Sequence, residues 1–201
     1  MNEPADYASA LRRTDYEVRD VPISVAHLLV NLFHYARGGP NTAVYLHGLM
    51  PAGSVLLTDC VGVAWWIPPT RSAAEATYPA DWQGVLSLSR LVVAPEAPKN
   101  AASFLLGGSM RLIDRQRWPC LVTYADTAQG HTGAIYRATN WQYVGLTKPQ
   151  EAFAINGRMT ARKAGGRTRT RAEMLALGAV STGSSTKHKF VHVEHGRRLP
   201  A

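Results

Sequence analysis

Cysteine is almost missing: Cys60 and Cys120 are the only two in 201 residues. Two thiols cannot build a disulfide framework or a cysteine-rich zinc site, and their scarcity points to a reducing compartment, the cytoplasm. No apolar run approaches the ~18 residues that a membrane-spanning helix requires, which excludes a helical integral membrane protein. The first twenty residues are polar and mixed in charge, unlike a secretory signal. Walker A, CxxC, HExxH, GxSxG and GxGxxG motifs are all lacking. Their absence argues against a P-loop NTPase, a zinc protease, an α/β-hydrolase and a Rossmann enzyme. Acidic residues are few, 14 Asp+Glu against 22 Lys+Arg. The composition is nevertheless 46% hydrophobic, enough for one folded domain, or one domain with a tail.

The cationic surplus is unevenly placed. Residues 1–150 hold 12 Lys+Arg and 11 Asp+Glu, whereas residues 151–201 hold 10 against 3. Such asymmetry points to a polyanionic partner, nucleic acid before acidic membrane, although a basic tail can also be merely solubilising. Residues 151–201 also contain apolar turns and a strand-like ending, so they read as a folded extension of a core formed by residues 1–150.

Periodicity predicts a mixed α/β chain with a single sheet. Residues 22–36 read as a helix whose apolar face comprises Val25, Leu28, Leu29, Leu32, Phe33 and Ala36, stopped by Gly38-Gly39-Pro40. Strands are expected over 43–49, 55–67, 85–93, 121–125 and 142–146. A loop with a short helical turn fills 68–83. Asn100 is placed as the N-cap of a helix reaching Arg117, and a second helix covers 132–139. In the tail, Thr170-Arg171-Ala172-Glu173 fits a capping box with Gly178 as the stop. Residues 187–194 alternate as an edge strand would.

Three places can carry chemistry. The first is the strand end Ser89-Arg90-Leu91-Val92-Val93 and the turn into the helix at Asn100. A helix start offers unpaired N–H groups and a positive dipole end, to which Lys99, Asn100 and Ser103 add charge and donors. Gly107-Gly108 within that helix suggests close packing against a neighbour or a ligand. The second is Asp126 at a strand end with Tyr136 in the following helix. Strand ends of α/β sheets bind ligands, a carboxylate accepts protons and a phenol donates them. Asp126 as a simple cap and Tyr136 as a core tyrosine are the competing assignments. The third is His34-Tyr35 at the close of the first helix, beside the Gly-Gly break.

At these positions the chain resembles the phage Mom-type DNA-modification proteins, a divergent branch of the GCN5-related acyltransferase superfamily. The resemblance lies in Phe33-His34-Tyr35, Leu88-Ser89-Arg90-Leu91 and Asn100-Ala-Ala-Ser103-Phe104-Leu105. It is strongest in Thr123-Tyr124-Ala125-Asp126 followed by Gly133-Ala-Ile-Tyr136-Arg137-Ala-Thr-Asn140-Trp141-Gln-Tyr143-Val-Gly145. It implies a GCN5-related N-acetyltransferase-like fold, a central mixed twisted sheet flanked by helices, with the basic C-terminal extension packed on it and contacting DNA. It implies acetyl-CoA or a related acyl-CoA as cofactor, bound at Leu91, Val92, Val93, Lys99, Asn100, Ala101 and Ser103. The implied reaction places a carbamoylmethyl (acetamido-type) group on adenine N6 in DNA and shields phage DNA from restriction in the host cytoplasm. The residues implied to be essential are His34, Tyr35, Arg90, Asp126 and Tyr136, and an iron ion is implied with His34, Tyr35 and Asp126 as its candidate ligands. The superfamily's Gln/Arg-x-x-Gly-x-Gly/Ala phosphate loop is missing, and residues 94–100 stand in its place.

On that basis Asp126 is expected to accept a proton or bind metal, Tyr136 to protonate a departing thiolate, and Arg90 to hold substrate or order Asp126. Adenine N6 is hidden in a duplex, so the base should be flipped out of double-stranded DNA. Trp65, Trp66, Trp82 and Tyr78 are candidates to stack on it, with one of Trp65 and Trp66 assigned to the core by strand alternation. Arg158, Arg162, Lys163, Arg167, Arg169 and Arg171 are the expected phosphate contacts. A homodimer is compatible with this reading. An N-acetyltransferase acting on a small-molecule or protein amine, and a non-catalytic DNA-binding module, are the alternatives.

Overall fold

The structure, a computed structural model, describes residues 10–35, 38–160, 162–164 and 167–194. The elements run β1 (Tyr16–Asp20), α1 (Ile23–Phe33), β2 (Tyr45–Pro51), β3 (Gly62–Ile67), α2 (Arg71–Glu75) and β4 (Val85–Val93). They continue through α3 (Ala101–Leu112), β5 (Cys120–Asp126), α4 (Ala134–Ala138), β6 (Gln142–Leu146) and β7 (Gln150–Ile155). The last are β8 (Arg158–Thr160), β9 (Lys163–Ala164), β10 (Arg167–Thr168), α5 (Arg171–Ala176), β11 (Val180–Ser185) and β12 (Lys187–Val193). Short 3-10 turns occupy Leu57–Asp59, Pro79–Gly84 and Thr127–Gln129. Among the described residues no helix is long and apolar enough to cross a membrane.

Seven strands form one sheet in the order β1-β2-β3-β4-β5-β12-β6. β1 to β4 pair antiparallel, and β4 pairs β5 in parallel, so the sheet is mixed. β12 lies between β5 and β6 and is an interior strand, not the expected edge strand. Its alternation of charged and apolar residues marks a strand with one buried face; it does not say whether both edges are paired. A separate three-stranded sheet follows the order β11-β7-β8, and β9 and β10 form a two-stranded ribbon.

Two compact units divide the chain. The first comprises residues 1–123, 134–142 and 190–201, the second 124–133 and 143–189. In the first unit, helices cover both faces of the strands. Ala26, Leu29 and Val30 of α1 pack with Met50, Val63, Trp65 and Val92. Trp66 points the other way, where its Nε1 donates to Ser109 Oγ of α3 at 2.7 Å. Both tryptophans are therefore fully buried, not one of the pair. Strand alternation sends them to opposite faces, and each face has a helix on it.

The contact face of α1 differs from the expected one. Leu28 and Leu32 are 55% and 57% exposed, while Ala26 and Val30 are buried. Apolar residues occur around most of this helix, so the spacing alone did not identify the side that meets the sheet. The helix also ends at Phe33, three residues short of the expected limit, because His34 turns extended (φ −92°, ψ 134°). Residues 36–37 lie outside the described residues. The strand expected over 55–67 begins only at Gly62, after the turn Leu57–Asp59.

In the second unit, Phe153, Met174 and Ala179 form a small core between α5 and the three-stranded sheet. Here the capping box is complete: Thr170 accepts from the Glu173 N–H, and Glu173 accepts from the Thr170 N–H. Gly178 follows with a left-handed φ of 77°, the conformation that favours glycine at a helix stop.

Candidate active site

β4 and β5 are paired only over Val85↔Cys120, Leu86↔Leu121 and Ser87↔Val122. Beyond that the ladder stops, although β4 continues to Val93 and β5 to Asp126. At the next step a side chain takes the place of the backbone: Thr123 Oγ1 donates to the Leu88 carbonyl at 3.4 Å. On its other edge β4 carries a bulge, since Trp65 faces Arg90 and Trp66 faces Leu88, leaving Ser89 without a partner in β3. A parallel pair that parts in mid-strand exposes backbone groups that a ligand can use.

Tyr136 of α4 stands at this parting. Its phenol is hydrogen-bonded to the Thr123 side chain, and burial pushes it above its ordinary value of 10, with the Thr123 bond partly opposing. Its ring lies 5.8 Å from Trp141 and 5.2 Å from Phe190, centroid to centroid. A neutral, fixed phenol is suited to donate a proton.

A cleft runs along α3 and reaches Thr139 and Asn140, which follow Tyr136 in the chain. One cavity of about 600 Å³ is lined by Arg13, Asn100, Ser103, Phe104, Gly107 and Arg111, with Thr139 and Asn140 opposite. A second, of about 610 Å³, shares Gly107, Arg111, Thr139 and Asn140 and adds Met110, Arg115, His192 and Glu194. Gly107 contributes to both, whereas Gly108 faces inward, where an added Cβ would lie 2.5 Å from Val18. The glycine pair thus serves a cleft on one side and close packing on the other. Asn100 occupies the N-cap position of α3 but adopts a left-handed φ of 71° and makes no side-chain cap. Its carbonyl accepts from Ser103 Oγ at 2.9 Å instead. Of the other residues expected to bind cofactor, Val92 and Ala101 are buried, Leu91 and Val93 half-buried and Lys99 exposed. Arg13, Arg111, Thr139 and Asn140 were not expected; they are far apart in sequence and no local spacing connects them.

Arg90 is committed to backbone. Nε donates to the Gly38 carbonyl at 3.0 Å and Nη1 to the Ser89 carbonyl at 2.8 Å. Burial lowers its pKa and the neighbouring Tyr35 opposes that shift. Arg90 therefore ties the stretch following α1 to the bulge in β4. His34 and Tyr35, just before that stretch, stack with centroids 4.4 Å apart.

Asp126 belongs to the second unit. Oδ1 accepts from the Ala128 N–H at 3.0 Å, capping the following 3-10 turn, and Oδ2 lies 3.8 Å from Lys187 Nζ. Lys187 lies 61 residues further along the chain, so no local spacing links it to Asp126. The implied iron does not fit these surroundings. Among the described residues no three His, Cys, Asp or Glu side chains converge as a metal-binding group. The Asp126 oxygens face a backbone donor and an ammonium.

The expected phosphate contacts have mixed surroundings. Arg167 forms a two-point pair with Glu173 at 2.9 and 2.5 Å, and Arg171 meets Glu151 at 3.1 Å. Arg162 donates to the Arg169 carbonyl at 3.0 Å and lies over the Phe153 ring. Arg158 is exposed. The side chain of Lys163 lies outside the described residues. Of the expected stacking residues, Trp65, Trp66 and Tyr78 are buried, and Trp82 is half-buried beneath Arg71.

A mixed sheet with a parallel pair parting beside a helix start defines the fold of the GCN5-related N-acetyltransferases. Solved structures with this architecture include Arabidopsis thaliana NAA60 in complex with a bisubstrate analogue, with a TM-score of 0.54 at 10% identity, covering 90% of this chain and 99% of that one. An N-acetyltransferase from Staphylococcus aureus aligns with a TM-score of 0.50 at 12% identity, over 89% of this chain and 98% of that one. Within this architecture the chain belongs to the Mom protein family, whose model matches residues 15–194. A curated relative, methylcarbamoylase mom of Escherichia phage Mu, is 26% identical over 137 residues. That match takes in 65% of this chain and 54% of the relative, so the chain spans about half the length of the protein it matches.

Proposed function

We propose that this chain is a DNA-modifying transferase that transfers an acyl group from a thioester donor to the N6 amine of adenine, the N6–C bond forming as the C–S bond breaks and the thiol leaves, acting in the cytoplasm of a phage-infected cell and protecting phage DNA from restriction. The observation that carries this reading is the extent of the family match. Residues 15–194 take in the parted strands, Tyr136 and the basic second unit together.

The cleft along α3 fits an acyl-CoA. It joins a helix start to two arginines, Arg13 and Arg111, and to the hydroxyl of Ser103, a donor set suited to phosphates. Bound there, the thioester would supply an activated acyl group. The chain's own residues do the rest. Asn100, Ser103, Arg13 and Arg111 hold the anionic end. Tyr136 keeps its proton on Oη until a leaving group needs it, with Thr123 fixing the phenol's direction. Asp126 is assigned to taking up the proton lost from N6, a weak nucleophile whose lone pair is delocalised into the ring. Arg90 holds the stretch beside His34 and Tyr35 in place. Surplus cations of the second unit follow the DNA backbone.

The test is mass spectrometry of nucleosides from DNA of cells expressing the chain, beside cells expressing Asp126→Ala or Tyr136→Phe. A modified deoxyadenosine is expected with the wild type and lost with both variants. Unmodified DNA accompanied by newly acetylated amines would replace this reading with the N-acetyltransferase one.

A further inference from the structure

The residues expected to stack on a base are mostly buried, which leaves a DNA-acting chain in need of another aromatic surface. The second unit has one. Tyr143 of β6 is 42% exposed, and its Oη is hydrogen-bonded to His188 Nδ1 of β12 at 3.2 Å. The two rings have centroids 5.6 Å apart and an interplanar angle of 54°. The bond fixes the tyrosine ring, so little side-chain freedom remains to be lost when a planar ligand settles on it.

Gly145 lies two residues along β6 from Tyr143 and has a φ of 129°, a backbone conformation that favours glycine. An added Cβ at Gly145 would meet nothing within 4 Å, so the space over this stretch of backbone is open. A glycine inside a strand often marks such a close approach. Among the described residues β6 is the outermost strand of the seven.

The charge of the unit that carries this surface selects the ligand. The second unit carries nine Lys and Arg against three Asp and Glu. Each of the three acids is already matched, Asp126 with Lys187, Glu151 with Arg171 and Glu173 with Arg167. Six positive charges of the unit are in excess of its acids. A planar surface within a cationic unit suits a base attached to a phosphate backbone.

We propose that the Tyr143–His188 pair, with the open backbone at Gly145, is a stacking platform for an unpaired nucleobase of the DNA substrate. The inference rests on the DNA reading above and adds where a base is received. Stacking is sequence-tolerant and depends on the ring face, not on salt.

The test is fluorescence anisotropy with a labelled single-stranded oligonucleotide and a matched chain of abasic spacers, using the full chain. Tyr143→Leu should weaken binding of the base-bearing strand about tenfold, in line with one lost stacking contact. It should leave binding of the abasic strand and the salt slope unchanged. Tyr143→Phe, which keeps the ring, should stay within about threefold of wild type. The thermal midpoint of each variant checks that the fold is intact. Equal binding of wild type and Tyr143→Leu to the base-bearing strand overturns the platform alone. An equal loss on the abasic strand does the same. A wild-type chain that binds neither strand overturns the DNA reading and the platform with it.

Discussion

The Tyr136 phenol is hydrogen-bonded to Thr123, and Thr123 in turn reaches the Leu88 carbonyl, at the step where β4 and β5 part. One hydroxyl thus closes the end of a strand ladder and orients the acid proposed for the reaction. A hydroxyl has one proton and two lone pairs: Thr123 accepts from the neutral phenol while donating to Leu88, and can turn its proton to the tyrosine oxygen once that ionises, which is how the bond lowers the pKa.

Thr123→Val should lower the modified deoxyadenosine content of cellular DNA about tenfold, as expected for loss of one positioning contact. Thr123→Ser should restore most of it. The Thr123 bond lowers the phenol's pKa against the larger effect of burial, so Val should move it further up and Ser should not. The ¹³Cζ resonance of Tyr136, identified by Tyr136→Phe, reports both. An unchanged resonance in Thr123→Val would show that the hydroxyl does not orient the ring.

A second relation concerns stability. Ser109 Oγ accepts from Trp66 Nε1 at 2.7 Å and bonds His47 Nδ1 at 2.7 Å, while His47 Nε2 faces Asp20 at 3.4 Å. Ser109→Ala leaves an indole N–H and an imidazole nitrogen unsatisfied, each buried, and should cost about 2–4 kcal/mol. Burial also holds the His47 pKa below 6.5, with Asp20 opposing. A depressed pKa means that the folded state binds fewer protons than the unfolded chain near 6.5. The contribution is present above pH 6.5 and is lost as pH falls through the depressed value. Thermal melts between pH 8 and 5 should show this decline, and His47→Gln should flatten it.

The glycine pair of α3 predicts opposite outcomes for neighbouring substitutions. Gly108→Ala places a Cβ 2.5 Å from Val18 and should destabilise by about 1–3 kcal/mol. At Gly107 the nearest atom is the flexible end of Arg111, at 3.6 Å. Gly107→Ala should therefore gain up to about 1 kcal/mol of helix propensity. Since Gly107 lines the cleft, the same change should weaken acetyl-CoA binding measured by calorimetry. Equal thermal midpoints for the two variants would contradict this division.

The cations of the second unit should not contribute equally to DNA binding. Arg167 is matched by Glu173, whose carboxyl is held at about 2 by the Arg167 pair and the Thr170 N–H. Arg167→Gln should return that carboxyl toward 4.5, as read by NMR titration, with little change in the salt slope of DNA binding. Its lowered pKa makes the stabilising effect present above 4.5 and lost as pH falls toward about 2. Substituting Arg158 and Arg169 together should reduce the slope by about 2, if each meets one phosphate. An identical slope in the double variant would remove them from the interface.

Much of the frame was legible along the chain. β4 and β6 match their expected limits, and the capping box at Thr170 is formed as read, because each rests on residues within a few positions of one another. The errors have a different origin. Leu28 and Leu32 were assigned to the core face of α1 although they are exposed, and Trp65 and Trp66 were weighed as stacking residues although both are buried. Local pattern cannot say which side of an apolar helix meets a sheet, or that both faces of a strand are covered.

The sequence by itself determined most of the helices and strands between residues 22 and 146, but not β1 or β7 to β11, together with the cationic surplus after residue 150 and the capped helix at Thr170, since composition, periodicity and capping are local properties. Only the tertiary structure decided that β4 and β5 part after Ser87 and Val122, that Thr123 meets Tyr136, and that Arg13 and Arg111 share a cleft with Asn100. It also showed that Glu151 and Glu173 neutralise two of the tail arginines, which a count of charges cannot reveal. These are pairings between distant parts of the chain, set by strand register and helix packing, and no spacing along the sequence encodes them.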